Sequence, residues 1–367
     1  MTGSTHASTC VDALTERFPG LARLPRVQLL GAPTPVHRLS ALSAARGLDL
    51  WVKRDDCSSP VYGGNKPRKL EYILGAAARR GARTLLTFGG IGTHHGLATT
   101  VFGRTVGMRT ALVLVPQPLS PAVQRSLLLA HAFGAELHWA HGVSGVTVTA
   151  LGVLARSVLR GDAPFVVAPG GSSVTGTLGF VRAGLELAAQ IQTAELPEPD
   201  AIYVPVGTGG TAVGIALGLR MAGVGAPVVG VLVTDILPPS GRRLRRLASR
   251  VVKRLRASDP GVPEVTLDPG ALRLVSGFTG PGYGATTVEA AQAMAAIGAT
   301  EKITVETTYT AKCLAALLAE GTPGRRLLFW NTFSALEPVP PGGVLPTPAA
   351  LPSAFGRFFA QPEAGHR

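Results

Sequence analysis

Cysteine is scarce. The three in 367 residues, Cys10, Cys57 and Cys313, form no Cys-x-x-Cys pair and no metal-type spacing. A disulfide scaffold and a cysteine-rich zinc module are both unavailable to such a chain, and a reducing, cytoplasmic setting is expected. Charge is also thin, at 16% of residues against 46% apolar. That balance is wrong for a disordered chain, which needs high charge and little apolar side chain. No apolar run approaches the roughly 18–20 residues of a membrane span. The first thirty residues hold no charged segment followed by an apolar one, so neither membrane insertion nor export is expected.

Acid is the scarcer charge, 22 residues against 35 basic, for a net +13. Eight of the basic residues fall between Arg242 and Arg256 with no acid among them. Leu244, Leu247, Val251 and Leu255 recur there at spacings of three and four, which describes an amphipathic helix with a charged outer face. A solvated face explains it, an anion- or partner-binding surface is the other reading, and no nucleic-acid role is expected. Lysine is rare within this basic set: 29 of the 35 are Arg. Three of the six lysines, Lys53, Lys66 and Lys69, cluster together. Lysine can lose its proton where guanidinium cannot, so the cluster is a lead toward amine chemistry, although drift explains it equally.

From about residue 84 short β-branched or Leu-rich runs alternate with longer helical stretches, the pattern of a parallel α/β sheet. Strands are expected over Thr84–Phe88, Thr110–Val115, Pro164–Ala168, Ala201–Val206, Pro227–Val233 and Arg326–Trp330. Helices are expected over Pro121–Phe133, Gly176–Gln192 and Thr211–Ala222. Several strands are continuously apolar, which implies helices on both faces. The first 30 residues and the Pro-rich end from Pro338 read as irregular arms. No repeat or long linker appears.

Gly63-Gly64-Asn65-Lys66-Pro67-Arg68-Lys69-Leu70-Glu71 leads into a helix whose Leu70, Ile73, Leu74 and Ala77 share one face. Pro67 suits the first turn. Lys66 then sits at the positive end of the helix dipole beside Arg68 and Lys69, all of which disfavour its ammonium form. A neutral amine is a nucleophile for carbonyls, and Gly-Gly would let a flat ring approach. The same residues also describe a solvated lysine at an ordinary helix start.

Lys53-Arg54-Asp55-Asp56 followed by that segment resembles the signature of pyridoxal-phosphate enzymes of the tryptophan-synthase-β type, in the D-cysteine desulfhydrase and aminocyclopropane-carboxylate deaminase branch. The resemblance covers roughly residues 30 to 335. It implies fold type II: two α/β domains with open twisted, mostly parallel sheets and helices on both faces. The expected division is a large cofactor-binding domain from 1–67 and 179–345, a small domain over 68–178, and a tail over 346–367. Lys66 is implied to hold the cofactor, with Asn65 beside it and Lys69 near the phosphate. Asp55 and Asp56 are read as structural.

Gly207-Thr208-Gly209-Gly210-Thr211 follows a strand and opens a helix, so its N–H groups and hydroxyls can cradle a phosphate. It is neither a Walker loop nor a dinucleotide fingerprint. A plain tight turn is the alternative, and the resemblance favours the cradle. Family members carry Gln-Ser-Asn-His where this chain has Gly92-Thr93-His94-His95. Thr93 keeps the hydroxyl expected near the reacting carbon. His94 replaces the amide bonded to the cofactor's phenolic oxygen and can still donate one hydrogen bond. A metal site is not expected at adjacent histidines.

Tyr283 and Tyr309 lie in loop-like settings that ordinary packing could explain; the resemblance makes both active-site proton donors or acceptors. Thr310 stands where deaminases carry Glu and can only hydrogen-bond the pyridine nitrogen, as in desulfhydrase-like members. Asn331-Thr332-Phe333-Ser334 replaces the family's His-Thr-Gly-Gly, so Phe333 fills space beside the ring. The expected activity is α,β-elimination from a small β-substituted amino acid, D-cysteine or a relative, giving a keto acid and ammonia. β-Replacement and cofactor binding without turnover are the rivals. A homodimer is expected.

Overall fold

The computed structural model describes residues 13–236 and 238–359. Cys10, the start of the expected opening arm and the last residues of the expected tail lie outside the described residues.

Among the described residues, ten strands form two sheets. The strands are β1 Val36–Arg38, β2 Asp49–Lys53, β3 Thr84–Gly90, β4 Arg109–Val115, β5 Glu136–Trp139, β6 Phe165–Val166, β7 Ala201–Val206, β8 Val228–Leu232, β9 Leu272–Val275 and β10 Arg326–Trp330. A six-stranded sheet runs β1-β2-β10-β7-β8-β9 and a four-stranded sheet runs β5-β4-β3-β6. Among the described residues only the β1–β2 pair is antiparallel. The helices are α1 Ala13–Arg17, α2 Ser40–Arg46, α3 Lys66–Arg79, α4 His94–Thr105, α5 Pro121–Ala132, α6 Val143–Leu159, α7 Val174–Gln192, α8 Gly210–Met221, α9 Gly241–Arg256, α10 Val288–Glu301, α11 Thr310–Glu320 and α12 Ser353–Gly356. No helix of the described residues is long and apolar enough to cross a membrane.

The continuously apolar strands are covered on both faces. Alternate residues of a strand point to opposite sides. Ile202, Val204 and Val206 of β7, with Leu328 and Trp330 of β10, join α7, α8 and α9 in one core. Ala201 and Tyr203, with Leu327 and Phe329, join α10 and α11 in another. A mainly parallel sheet buried on both sides is what such runs require.

The expected strands and helices occur with ends shifted by a few residues, and β1, β2, β5 and β9 are additional. The opening segment is not an irregular arm over its described part. Leu14, Phe18, Leu21 and Leu24 are spaced for a helical face and are buried in the first core. The Pro-rich end is likewise packed down. Leu351 and Phe355 are buried in the core of the four-stranded sheet, and Gln124 Nε2 of α5 donates to Phe358 O at 2.6 Å. Apolar area is the reason in both cases: these arms cover surface the sheets alone leave open.

Helix α3 is fixed from behind by a buried ionic network. Arg68 donates to both carboxylate oxygens of Asp55, at 2.9 and 2.8 Å, and to both of Glu186, at 2.8 and 2.9 Å. Lys53 Nζ donates to Glu186 at 2.6 Å and to the Thr34 carbonyl at 2.7 Å. Trp330 Nε1 closes the group on Asp55 at 2.7 Å. Two cations and two carboxylates balance one another, so burial is tolerated. Asp55 is structural, as expected, and the Lys53 lead toward amine chemistry ends here as well. Gly179 of α7 lies directly on the Arg68 carbonyl, where no Cβ could fit. That contact presses the first turn of α3 against α7.

Candidate active site

Lys66 is the first residue of α3 and is half-buried. Its Nζ donates to Asn65 Oδ1 at 2.6 Å, and Asn65 Nδ2 donates to Thr211 Oγ1 at 3.3 Å. The lysine is thereby tied to the start of α8. Burial brings the Lys66 pKa down to about 8, against the pull of Glu306 toward the charged form. The cause differs from the one the sequence suggests, because Arg68 turns away into the Asp55–Glu186 network. The paired glycines also serve another purpose. A Cβ on Gly64, at φ +84°, would meet the Thr332 carbonyl at 2.7 Å, and Gly63 rests on the Asp56 carbonyl. They admit protein backbone beside the lysine.

One turn along α3, Lys69 Nζ donates to the Gly170 carbonyl at 3.0 Å and to Ser172 Oγ at 3.3 Å. Its remaining neighbour is the Phe180 ring, 5.8 Å to the centroid. It has no carboxylate partner among the described residues. Burial, and secondarily Lys66, push its pKa well down. Around it stand hydroxyls and a helix start. Ser172 Oγ and Thr208 Oγ1 lie 2.6 Å apart, and the Gly210 N–H donates to Ser172 Oγ at 3.1 Å. Gly209, at φ +89°, is the N-cap of α8. A Cβ on Gly210 would come within 2.7 Å of Ser172 Oγ, so the cradle needs glycine there.

A buried amine with no counter-charge to hold its proton, two hydroxyls and the positive end of a twelve-residue helix all call for an anion. An aldehyde for a lysine whose pKa is lowered to about 8, and a phosphate for the cradle beside it, are what pyridoxal phosphate brings. The residues present therefore fit that cofactor: Lys66 for its aldehyde, and Lys69, Ser172, Thr208, Gly209, Gly210 and Thr211 for its phosphate.

The other expected residues line the same region. Thr93 caps α4, its Oγ1 accepting from the Gly96 N–H at 3.1 Å, and its own proton has no acceptor among the described residues. His94 Nδ1 lies 2.7 Å from Tyr62 OH. The His94 ring meets Phe333 edge to face, with centroids 5.4 Å apart. The two departures from the family pattern therefore touch each other. Burial, joined by Lys66 and opposed by Glu306, lowers the His94 pKa. His95 turns elsewhere, its Nε2 3.0 Å from Thr87 Oγ1. Tyr283 and Tyr309 share a hydrogen bond of 2.5 Å between their hydroxyls, and a Cβ on Gly207 would lie 3.4 Å from the Tyr309 ring. Burial raises both phenol pKa values, so both stay protonated.

Thr310 is fully buried and engaged locally. Its Oγ1 accepts from the Glu306 N–H at 2.8 Å and donates toward Glu306 Oε1 at 3.3 Å. Glu306 takes the N–H groups of Thr308, Tyr309 and Thr310 at 2.7–2.9 Å, capping α11. Its charge reaches Lys66, His94 and both tyrosines. The sequence reading missed Glu306, Ser172 and Tyr62. An acid ahead of a helix start marked the first and a Pro-Gly-Gly-Ser-Ser run the second; nothing local marked Tyr62.

The family model for "Pyridoxal-phosphate dependent enzyme" matches residues 27–332. This chain belongs to the pyridoxal-phosphate dependent enzyme family. Among similar proteins, the nocardicin C-9′ epimerase of Nocardia uniformis subsp. tsuyamanensis is 35% identical over 333 residues, 88% of this chain and 98% of that protein. The D-cysteine desulfhydrase of Salmonella paratyphi C (strain RKS4594) is 29% identical over 303 residues, 81% and 89% of the two chains. A crystal structure described as an ACC deaminase homologue superimposes with a TM-score of 0.75 at 31% identity, covering 86% of this chain and 94% of that one. The protein is thus a pyridoxal-phosphate-dependent enzyme of fold type II, as the Lys66 segment implied.

Proposed function

We propose that this enzyme removes the α-proton of a small amino acid and expels a β substituent, as a D-cysteine desulfhydrase does, releasing a keto acid and ammonia. The observation that carries this reading is the half-buried amine of Lys66, with a pKa lowered to about 8, one helical turn from an uncompensated phosphate cradle. Pyridoxal phosphate, when bound, supplies the electron sink that acidifies the α-carbon.

The chain's own residues do the rest. Lys66 is neutral in part near physiological pH and takes the α-proton at Nζ, with Asn65 Oδ1 orienting that atom. As the Cα–H bond breaks, its electron pair becomes the Cα–Cβ double bond and the β substituent departs with its own pair. The Tyr283–Tyr309 pair holds a proton for that leaving group. Water then hydrolyses the unsaturated amine to keto acid and ammonia. The protein functions on this reading as two domains, 68–178 and the segments 1–67 and 179–345 together, with the site between them, and as a homodimer in the cytoplasm.

The 35% identity to an epimerase favours a second reading, in which the same proton is returned to the opposite face. Both are tested by incubating the loaded enzyme with D- and L-amino acids in heavy water. Equimolar keto acid and ammonia support elimination. Deuterium at Cα with inversion and no keto acid supports epimerisation. Neither product nor exchange with any substrate overturns both.

A further inference from the structure

We propose that Tyr62 is a positioning residue: together with Phe333 packed across the ring, it holds His94 as an Nε2–H hydrogen-bond donor turned into the cleft beside Lys66. The inference rests on the reading that this cleft holds pyridoxal phosphate, and it joins His94 and Phe333, which depart from the pattern the motif resembles, to a tyrosine from another segment.

Tyr62 is buried with its ring in the core of the four-stranded sheet. Its hydroxyl has one partner among the described residues, His94 Nδ1 at 2.7 Å. Burial keeps the phenol protonated, since its pKa is raised far above the ordinary value. That proton must be donated, because a buried O–H without an acceptor is strongly disfavoured. Nδ1 is the acceptor within reach, so the hydrogen of the neutral imidazole sits on Nε2. Nε2 has no protein partner among the described residues, nor is it among the buried polar atoms left without one. It therefore opens to the cleft. Phe333 completes the arrangement: the rings are inclined at 81° with centroids 5.4 Å apart, a contact that holds the imidazole in the orientation that presents Nδ1, and not Cδ2, to Tyr62.

The outcome is a single fixed N–H donor in an otherwise aromatic wall. It fits an oxygen acceptor, anionic or carbonyl, presented by the bound cofactor or by the substrate. An amide at position 94 could offer the same donor without help. The imidazole needs Tyr62 to choose its tautomer, and Phe333 packs against the same ring.

The test is nitrogen-15 NMR of histidine-labelled protein, with His94→Asn to assign the signal, alongside titration with pyridoxal phosphate followed by visible absorbance. The wild type is expected to show His94 as one neutral Nε2–H tautomer with and without cofactor. Tyr62→Phe should mix the tautomers and weaken cofactor binding about tenfold. His94→Asn carries an amide donor that needs no tautomer chosen for it, so Tyr62→Phe added to that variant should cost nothing more in cofactor binding. An Nδ1–H tautomer in the wild type overturns the proposal, and so does an undiminished Tyr62→Phe penalty in the His94→Asn background. If the wild type shows the Nε2–H tautomer but takes up no pyridoxal phosphate, the cofactor reading fails while positioning by Tyr62 stands.

Discussion

Arg68 grips Asp55 through both carboxylate oxygens, at 2.9 and 2.8 Å, only two residues beyond the lysine that faces the site. One helical turn therefore does two jobs. Lys66 and Lys69 face the cleft, while Arg68 ties the same turn to β2, β10 and α7. The precision of the lysine depends on a network that never touches substrate.

Arg68→Met should therefore be costly. It leaves Asp55 and Glu186 to share one cation, Lys53, in a fully buried setting. Breaking a buried pair in this way costs about 3–5 kcal/mol. Denaturant unfolding of the cofactor-free protein measures it, and a loss below about 1 kcal/mol would show the network to be dispensable.

Lys69 is predicted to be the charge that captures phosphate. In the wild type, inorganic phosphate should raise the melting temperature, and in Lys69→Met it should not. Pyridoxal phosphate should bind Lys69→Met about ten- to a hundredfold more weakly, the worth of one charge-assisted hydrogen bond of roughly 1.5–3 kcal/mol. Ser172→Ala should show a smaller loss in the same direction. Equal phosphate stabilisation in all three proteins would contradict the cradle.

The pH dependence follows from Lys66. With its pKa near 8 rather than the ordinary 10.5, about a tenth of the amine is neutral at pH 7. Cofactor uptake, read as growth of the visible band, should accelerate through a midpoint near 8 and level off above it. The folded state binds fewer protons at this residue than the unfolded chain does between those two values. Its burial therefore costs stability that is fully felt below pH 8 and relieved as pH rises toward 10.5. Lys66→Met should flatten both profiles, and an unchanged uptake profile would sink the assignment.

Much of this was legible in the sequence, for reasons that differ between residues. Lys66, Asn65 and the loop Gly207–Thr211 sit in contiguous motifs, each joined to a helix start that periodicity reveals. Strands buried on both faces, such as β7, announce themselves as apolar runs. Ser172 acts on Lys69 from 103 positions away, and Tyr62 meets His94 from 32; no local pattern encodes such meetings. The edge strands β1 and β9 are short and carry Arg38 and Arg273, so they look like loops. Arg68 was read as a neighbour of Lys66 because helix numbering fixes order along the axis, whereas direction around it was decided by Asp55 and Glu186.

Lys66 is predicted to form the bond to pyridoxal phosphate. The direct measurement is to load the protein with the cofactor, reduce it with borohydride, digest it and map the pyridoxyl group by mass spectrometry. The group should be found on Lys66, and Lys66→Ala should carry none while still binding phosphate through Lys69. A pyridoxyl group on Lys69 or Lys312, or on no lysine at all, would contradict the account.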